Sequence, residues 1–143
     1  MGWTFYNSSG QQLRNTGTVL ATQAEMEAGS VLTSIVTPGR TKYHPGVAKV
    51  WVRWEQSGTH SMGASYNMTS VTDGGAVGDT DHVFNVDFSS DTWVAAGIAE
   101  DTSVLMFNTS GMAAGTVTTV NRRTSSNTSY DAGTAQMVVF GDQ

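Results

Sequence analysis

From Gly46 onward the chain is a succession of short runs that alternate apolar and polar residues, most of them ending at a glycine-bearing turn. The clearest spans residues 46–56, GVAKVWVRWEQ. Successive side chains of a strand point to opposite faces, so Ala48, Val50, Val52 and Trp54 fall on one side and Lys49, Trp51 and Arg53 on the other. Residues 63–71 (GASYNMTSV) read as a partner strand, followed by a loop over 73–79. Residues 82–88 alternate again, with Phe84, Val86 and Phe88 opposite Val83, Asn85 and Asp87. Further runs at 93–98, 103–107, 116–120 and 136–140 complete the set. About eight or nine strands, with turn signals roughly every 8–12 residues, predict an all-β fold, an antiparallel β-sandwich of jelly-roll-like type.

The first 45 residues read differently. Residues 2–7 and 11–14 predict a hairpin around the turn Asn7-Ser8-Ser9-Gly10. A single helical signal follows near residues 22–28. Thr22 with Glu25 three residues on is a capping box, and Gly29 stands where a C-terminal cap glycine belongs. Two turns of helix do not persist alone in water, so this element must pack on something. Residues 31–36 form a brief apolar run, read as stopped by Thr37-Pro38-Gly39. The predicted organisation is an N-terminal segment over 1–45, packed on or beside a β-sandwich over 46–143, within one structural unit.

Composition excludes several classes of function. No apolar run approaches membrane-spanning length, and the start MGWTFYNSSG has neither the basic nor the apolar region of a signal peptide. Membrane insertion is therefore not expected. With no cysteine, disulfides, thiolate metal sites and thiol catalysis are all absent. The net charge of −5 argues against nucleic acid as a partner, because neutralising phosphates takes a basic patch. No cofactor is expected.

The segment ATQAEMEAGSVLTSIVTPGR resembles a motif that recurs in tail-fibre and related virion proteins of bacteriophages, roughly A-T-x-A-E-x-x-A-G-T, a spacer, then V-T-P. The matching positions are Ala21, Thr22, Ala24, Glu25, Ala28, Gly29, Val36, Thr37 and Pro38, with Ser30 in place of the usual Thr. The SYN…SVTD…G…F pattern over 65–88 is similar to the same proteins. The resemblance implies a virion surface structural protein, typically a homotrimer, that binds a host receptor (a glycan or surface protein) and contacts other virion proteins of the tail or the major capsid shell. This chain lacks the long repetitive shaft of a tail fibre. A trimeric decoration protein that locks a capsid is therefore the alternative.

Candidate residues follow from exposure arguments. Trp51 between Lys49 and Arg53 on an outward face predicts a subunit or partner interface, with a sugar platform or a second packed layer as the competing readings. Tyr43 and His44 sit in a turn, and Asp73, Asp79 and Asp81 lie in the stretch DGGAVGDTD; both are candidate ligand-facing segments. The acids do not follow the EF-hand spacing, and His44, His60 and His82 have no metal-ligand spacing, so no metal site is expected. Ser57 or Ser61 with His60 lacks a nucleophile elbow, and Glu55, Glu100 and Asp87 cannot be paired from sequence. The expectation is a non-enzyme, with a carbohydrate hydrolase as the reading from another class.

Overall fold

The computed structural model describes residues 5–6, 9, 12–13, 20–29, 34–100 and 103–143. The chain divides into two compact units, Met1–His44 and Pro45–Gln143.

In the first unit, β1 (Phe5–Tyr6) pairs antiparallel with β2 (Gln12–Leu13), setting Phe5 opposite Leu13 and Tyr6 opposite Gln12. The remainder of the predicted hairpin, at 2–4, 7, 11 and 14, lies outside the described residues, as do 31–33 of the apolar run. Helix α1 (Gln23–Ala28) carries the predicted capping box in full. The Glu25 amide donates to Thr22 Oγ1 (3.2 Å) and the Thr22 amide to Glu25 Oε2 (2.7 Å). The Thr22 hydroxyl also donates to Glu25 Oε2 (3.0 Å), and the donations from the Thr22 backbone and hydroxyl hold the Glu25 carboxyl below its ordinary value. Gly29 closes the helix at φ 61°, and Met26 is its buried residue. Pro38 does not simply stop the chain: it opens a single helical turn, α2 (Pro38–Thr41). At the first helical position its fixed φ suits the helix and its missing N–H would have had no partner.

The second unit is a β-sandwich. Its strands are β3 (Val50–Glu55), β4 (Ser61–Tyr66), β5 (Met68–Asp73), β6 (Asp79–Phe84), β7 (Val94–Ala99), β8 (Ser103–Asn108), β9 (Thr116–Arg123) and β10 (Ala135–Phe140). One sheet has the order β4-β3-β10-β7 and the other β5-β6-β9-β8, with every pairing antiparallel. β10 returns to lie between β3 and β7, so the unit's last strand is hydrogen-bonded to its first.

The predicted single strand over 63–71 is two strands in two sheets, β4 and β5, broken at Asn67. Asn67 adopts φ 57°, a left-handed conformation that Asn tolerates better than most residues. Its side-chain amide then acts as a short piece of strand. Oδ1 accepts from the Val86 amide (2.8 Å) and Nδ2 donates to the Val86 carbonyl (3.1 Å). The Asn85 amide also bonds the Asn67 carbonyl (3.1 Å), so the corner is clamped on three sides.

The core lies between the sheets. Val50, Val52, Trp54, Ala135, Met137 and Val139 from one sheet face Val71, Phe84, Leu105 and Val117 from the other. Phe84, Phe88 and Trp93 form a closed aromatic cluster with centroids 5.5–5.8 Å apart. One region of the interior is polar instead. Gln56, Thr80, His82, Thr119 and Asn121 are all fully buried. Gln56 organises it: Nε2 donates to Gly78 O (3.1 Å) and Thr80 Oγ1 (2.6 Å), while Oε1 accepts from the Ala132 amide (3.2 Å) and from Asn121 Nδ2. His82 stands edge-on to Trp54, with centroids 4.5 Å apart, and bonds Thr119 Oγ1 through Nε2 (3.0 Å). Burial, reinforced by the charge of His60, lowers its pKa to about 3, so the ring is neutral.

Candidate functional site

β3 alternates without exception: Val50, Val52 and Trp54 are buried, while Trp51, Arg53 and Glu55 are exposed. Trp51 retains 43% of its accessible surface, so it faces outward and is not part of a second packed layer. Lys49 departs from the prediction. It is only 2% exposed and therefore is not an outward cation beside Trp51. It precedes the first residue of β3, and its backbone amide bonds Val139 O (2.9 Å), so the alternation of the strand does not govern it.

Register extends the Trp51 face across the sheet. Trp51 lies between Tyr66 on β4 and Val138 on β10, and Val138 in turn faces Ala96 on β7. The next row runs Arg53, Gln136, Ile98. Tyr66 and Ile98 are 53% and 65% exposed. Beside Trp51 and Ile98 lies an open groove of about 530 Å³ with Ala64, Ala96 and Gly97 among its lining residues. Arg53 is the charged side chain in that lining, and its guanidinium donates to Thr134 Oγ1 (3.3 Å). An apolar outward face with an aromatic residue at its centre is the surface chemistry of a partner contact. Sequence reasoning found Trp51 and Arg53 but missed Tyr66, Ile98, Gln136 and Val138. Strand alternation identifies such residues one strand at a time; only register places them side by side.

The predicted ligand-facing acids are distributed differently from the expectation. Asp73 ends β5, Asp79 begins β6, and Asp81 lies within β6, so the connecting loop is 74–78 and Asp81 is not on it. Asp73 Oδ1 accepts from the Gly75 amide (2.7 Å), which is turn chemistry, and Asp81 Oδ1 accepts from Thr118 Oγ1 (2.6 Å). The Asp79 carboxyl is raised, first by burial, then by Asp81 and Asp73, with Arg122 pulling the other way. Among the described residues no group of three or more His, Asp or Glu side chains is placed to hold a metal.

The loop 74–78 and the segment 122–131 meet at one end of the sandwich. The Gly78 amide donates to Asp131 Oδ1 (2.7 Å) and the Asn121 amide to Gly78 O (2.9 Å). Gly78 has φ 84°, and a Cβ there would stand 2.6 Å from Asn121 O, so close approach and backbone shape both require glycine. Arg123 stacks on Tyr130 with its guanidinium carbon 4.1 Å from the ring centroid. The result is a braced tip built from two loops far apart in sequence.

Tyr43 and His44 belong to the N-terminal unit, just after α2. Their amides close the turn on Arg40 O and Thr41 O (3.0 Å each), and Lys42 and Arg40 lie over the Tyr43 ring at 5.0 and 5.9 Å. His60 Nδ1 contacts Thr80 Oγ1 at 3.4 Å, which ties it to the polar interior. No family model matches this chain, and neither does any curated protein or solved structure.

Proposed function

We propose that this chain is a non-catalytic structural protein of a bacteriophage virion surface, a small homotrimer of tail-fibre type that engages a host receptor. The single observation that carries the reading is the apolar outward face centred on Trp51, on a sheet whose other face is the core. A protein with a net charge of −5 that keeps a Trp, a Tyr and two aliphatic side chains together in solvent has a surface suited to association. The face serves as the subunit or partner interface, and the tip formed by 74–78 and 122–131 is the receptor-facing end. The motif around α1 supports the virion assignment. Of the residues weighed from the sequence for hydrolysis, His60 is engaged through Nδ1 with the framework threonine Thr80, which does not favour a catalytic base.

Trp51→Ala tests the assignment. The exposed ring contributes little to folding, so thermal stability should change by less than about 1 kcal/mol while association weakens strongly. Equal loss of both would place Trp51 in folding and remove the interface. The capsid-decoration reading is favoured by one observation, a separate N-terminal unit with Leu20, Ile35 and Val36 exposed at 45%, 52% and 48%, which would suit gripping a capsomer.

A further inference from the structure

The polar region of the interior is not fully paired by the protein itself. Among the described residues five buried side-chain nitrogen and oxygen atoms have no hydrogen-bond partner, and three of them, Trp54 Nε1, His82 Nδ1 and Asn121 Oδ1, belong to this one region. All three residues are closed from solvent. A buried polar atom left alone loses its hydration without return, and native interiors pair nearly all such atoms, with protein or with ordered water.

Trp54 and His82 are the informative pair. Trp54 comes from β3 and His82 from β6, so they stand on opposite sheets, and their rings meet edge-on with centroids 4.5 Å apart at 75°. The other imidazole nitrogen, Nε2, is already engaged with Thr119 Oγ1 (3.0 Å). Gln56 and Thr80 show how this region is joined elsewhere: Gln56 Nε2 donates directly to Thr80 Oγ1 (2.6 Å). No such direct bond joins Trp54 Nε1 to His82 Nδ1.

We infer that a single buried water joins Trp54 Nε1 to His82 Nδ1 and so bridges the two sheets where these side chains do not bond each other. The chemistry of the two nitrogens selects it. An indole N–H is a donor only, so the bridging group must offer a lone pair, which excludes a metal cation. The imidazole is neutral, and Gln56, Thr80, Thr119 and Asn121 are uncharged, so these side chains offer nothing to offset an anion. An organic molecule would need an opening, whereas Trp54, His82, Thr119 and Asn121 are all closed from solvent. Water accepts from the indole and donates to Nδ1, or accepts from Nδ1 where that nitrogen carries the ring proton, so it serves either tautomer. A buried water holds about three hydrogen bonds, and Asn121 Oδ1 is the acceptor left over in the same region. The inference concerns the interior of the sandwich and stands whether or not the chain assembles on a virion.

A crystal structure of the wild-type protein, at a resolution that shows ordered water, tests the bridge. The expected result is one oxygen within about 3.2 Å of both Trp54 Nε1 and His82 Nδ1. In solution the Trp54 indole proton should give a cross-peak at the water frequency, with opposite signs in laboratory-frame and rotating-frame Overhauser spectra; proton exchange gives the same sign in both. His82→Phe keeps a ring against Trp54 and deletes Nδ1, so the variant should lose both the oxygen and the cross-peak. An oxygen that stays in place in the variant overturns the part given to His82. A wild-type structure in which the two nitrogens bond each other or other protein groups, or in which no oxygen lies between them, overturns the bridge. Should His82→Phe not fold, the wild-type measurements decide alone.

Discussion

Acid should weaken this fold through one side chain. His82 is fully buried, edge-on to Trp54, and its pKa is lowered to about 3 by burial and by the charge of His60. In the unfolded chain the same ring titrates near its ordinary value of 6.5. A group whose folded pKa is depressed in this way binds protons preferentially when unfolded. Its contribution to stability is therefore complete above about pH 6.5 and is lost progressively as the pH falls toward about 3. At about 1.36 kcal/mol per pH unit, the loss is about 2 to 3 kcal/mol by pH ~4.5, and near 5 kcal/mol when the whole interval is crossed. That is a large share of the stability of a typical domain. The assay is urea unfolding at about pH 7 and about pH 4.5 for the wild type and for His82→Gln, which keeps a polar group beside Thr119 without a titrating ring. Asp79 works in the opposite direction, because its raised carboxyl favours the folded state on protonation, but it is common to both proteins and cancels in the difference. The wild type should lose about 2 to 3 kcal/mol more than the variant. Equal losses would refute the neutral, buried imidazole.

Asn67→Ala should cost about 2 to 3 kcal/mol, from two lost bonds to Val86 and the left-handed backbone, whereas Asn67→Gly, which relieves the backbone, should cost distinctly less; thermal unfolding of the pair separates the two contributions. Gln56→Leu removes the hub that serves Gly78, Thr80, Asn121 and Ala132, and stranding those buried groups should cost about 3 to 5 kcal/mol, measured by urea unfolding. Loss below about 1 kcal/mol would mean that the polar interior repacks.

The all-β sandwich was legible because alternation in β3, β9 and β10 is a direct record of burial on one face, and the capping box fixed α1 to within a residue. The break at Asn67 was not legible, since Tyr66-Asn67-Met68 reads as continuous strand and the clamp on Val86 is a contact 19 residues away. The burial of Lys49 escaped for a related reason: parity predicts a face only within a strand, and Lys49 stands outside β3. Of the candidate interface, the sequence pointed to Trp51 and Arg53, and the register of β4, β10 and β7 assembled the rest around them. The polar interior left no local signal, because Gln56, Thr80 and Asn121 come from three separated strand regions and are ordinary surface residues in composition.

A reconstruction of intact virions tests the central claim most directly. The sandwich should stand at the tail, in groups of three, with the Trp51 face at the contact between copies and the 74–78 and 122–131 loops pointing outward. Particles that lack the chain altogether would contradict it, and copies spread over the shell would replace the tail-fibre reading with the capsid-decoration one.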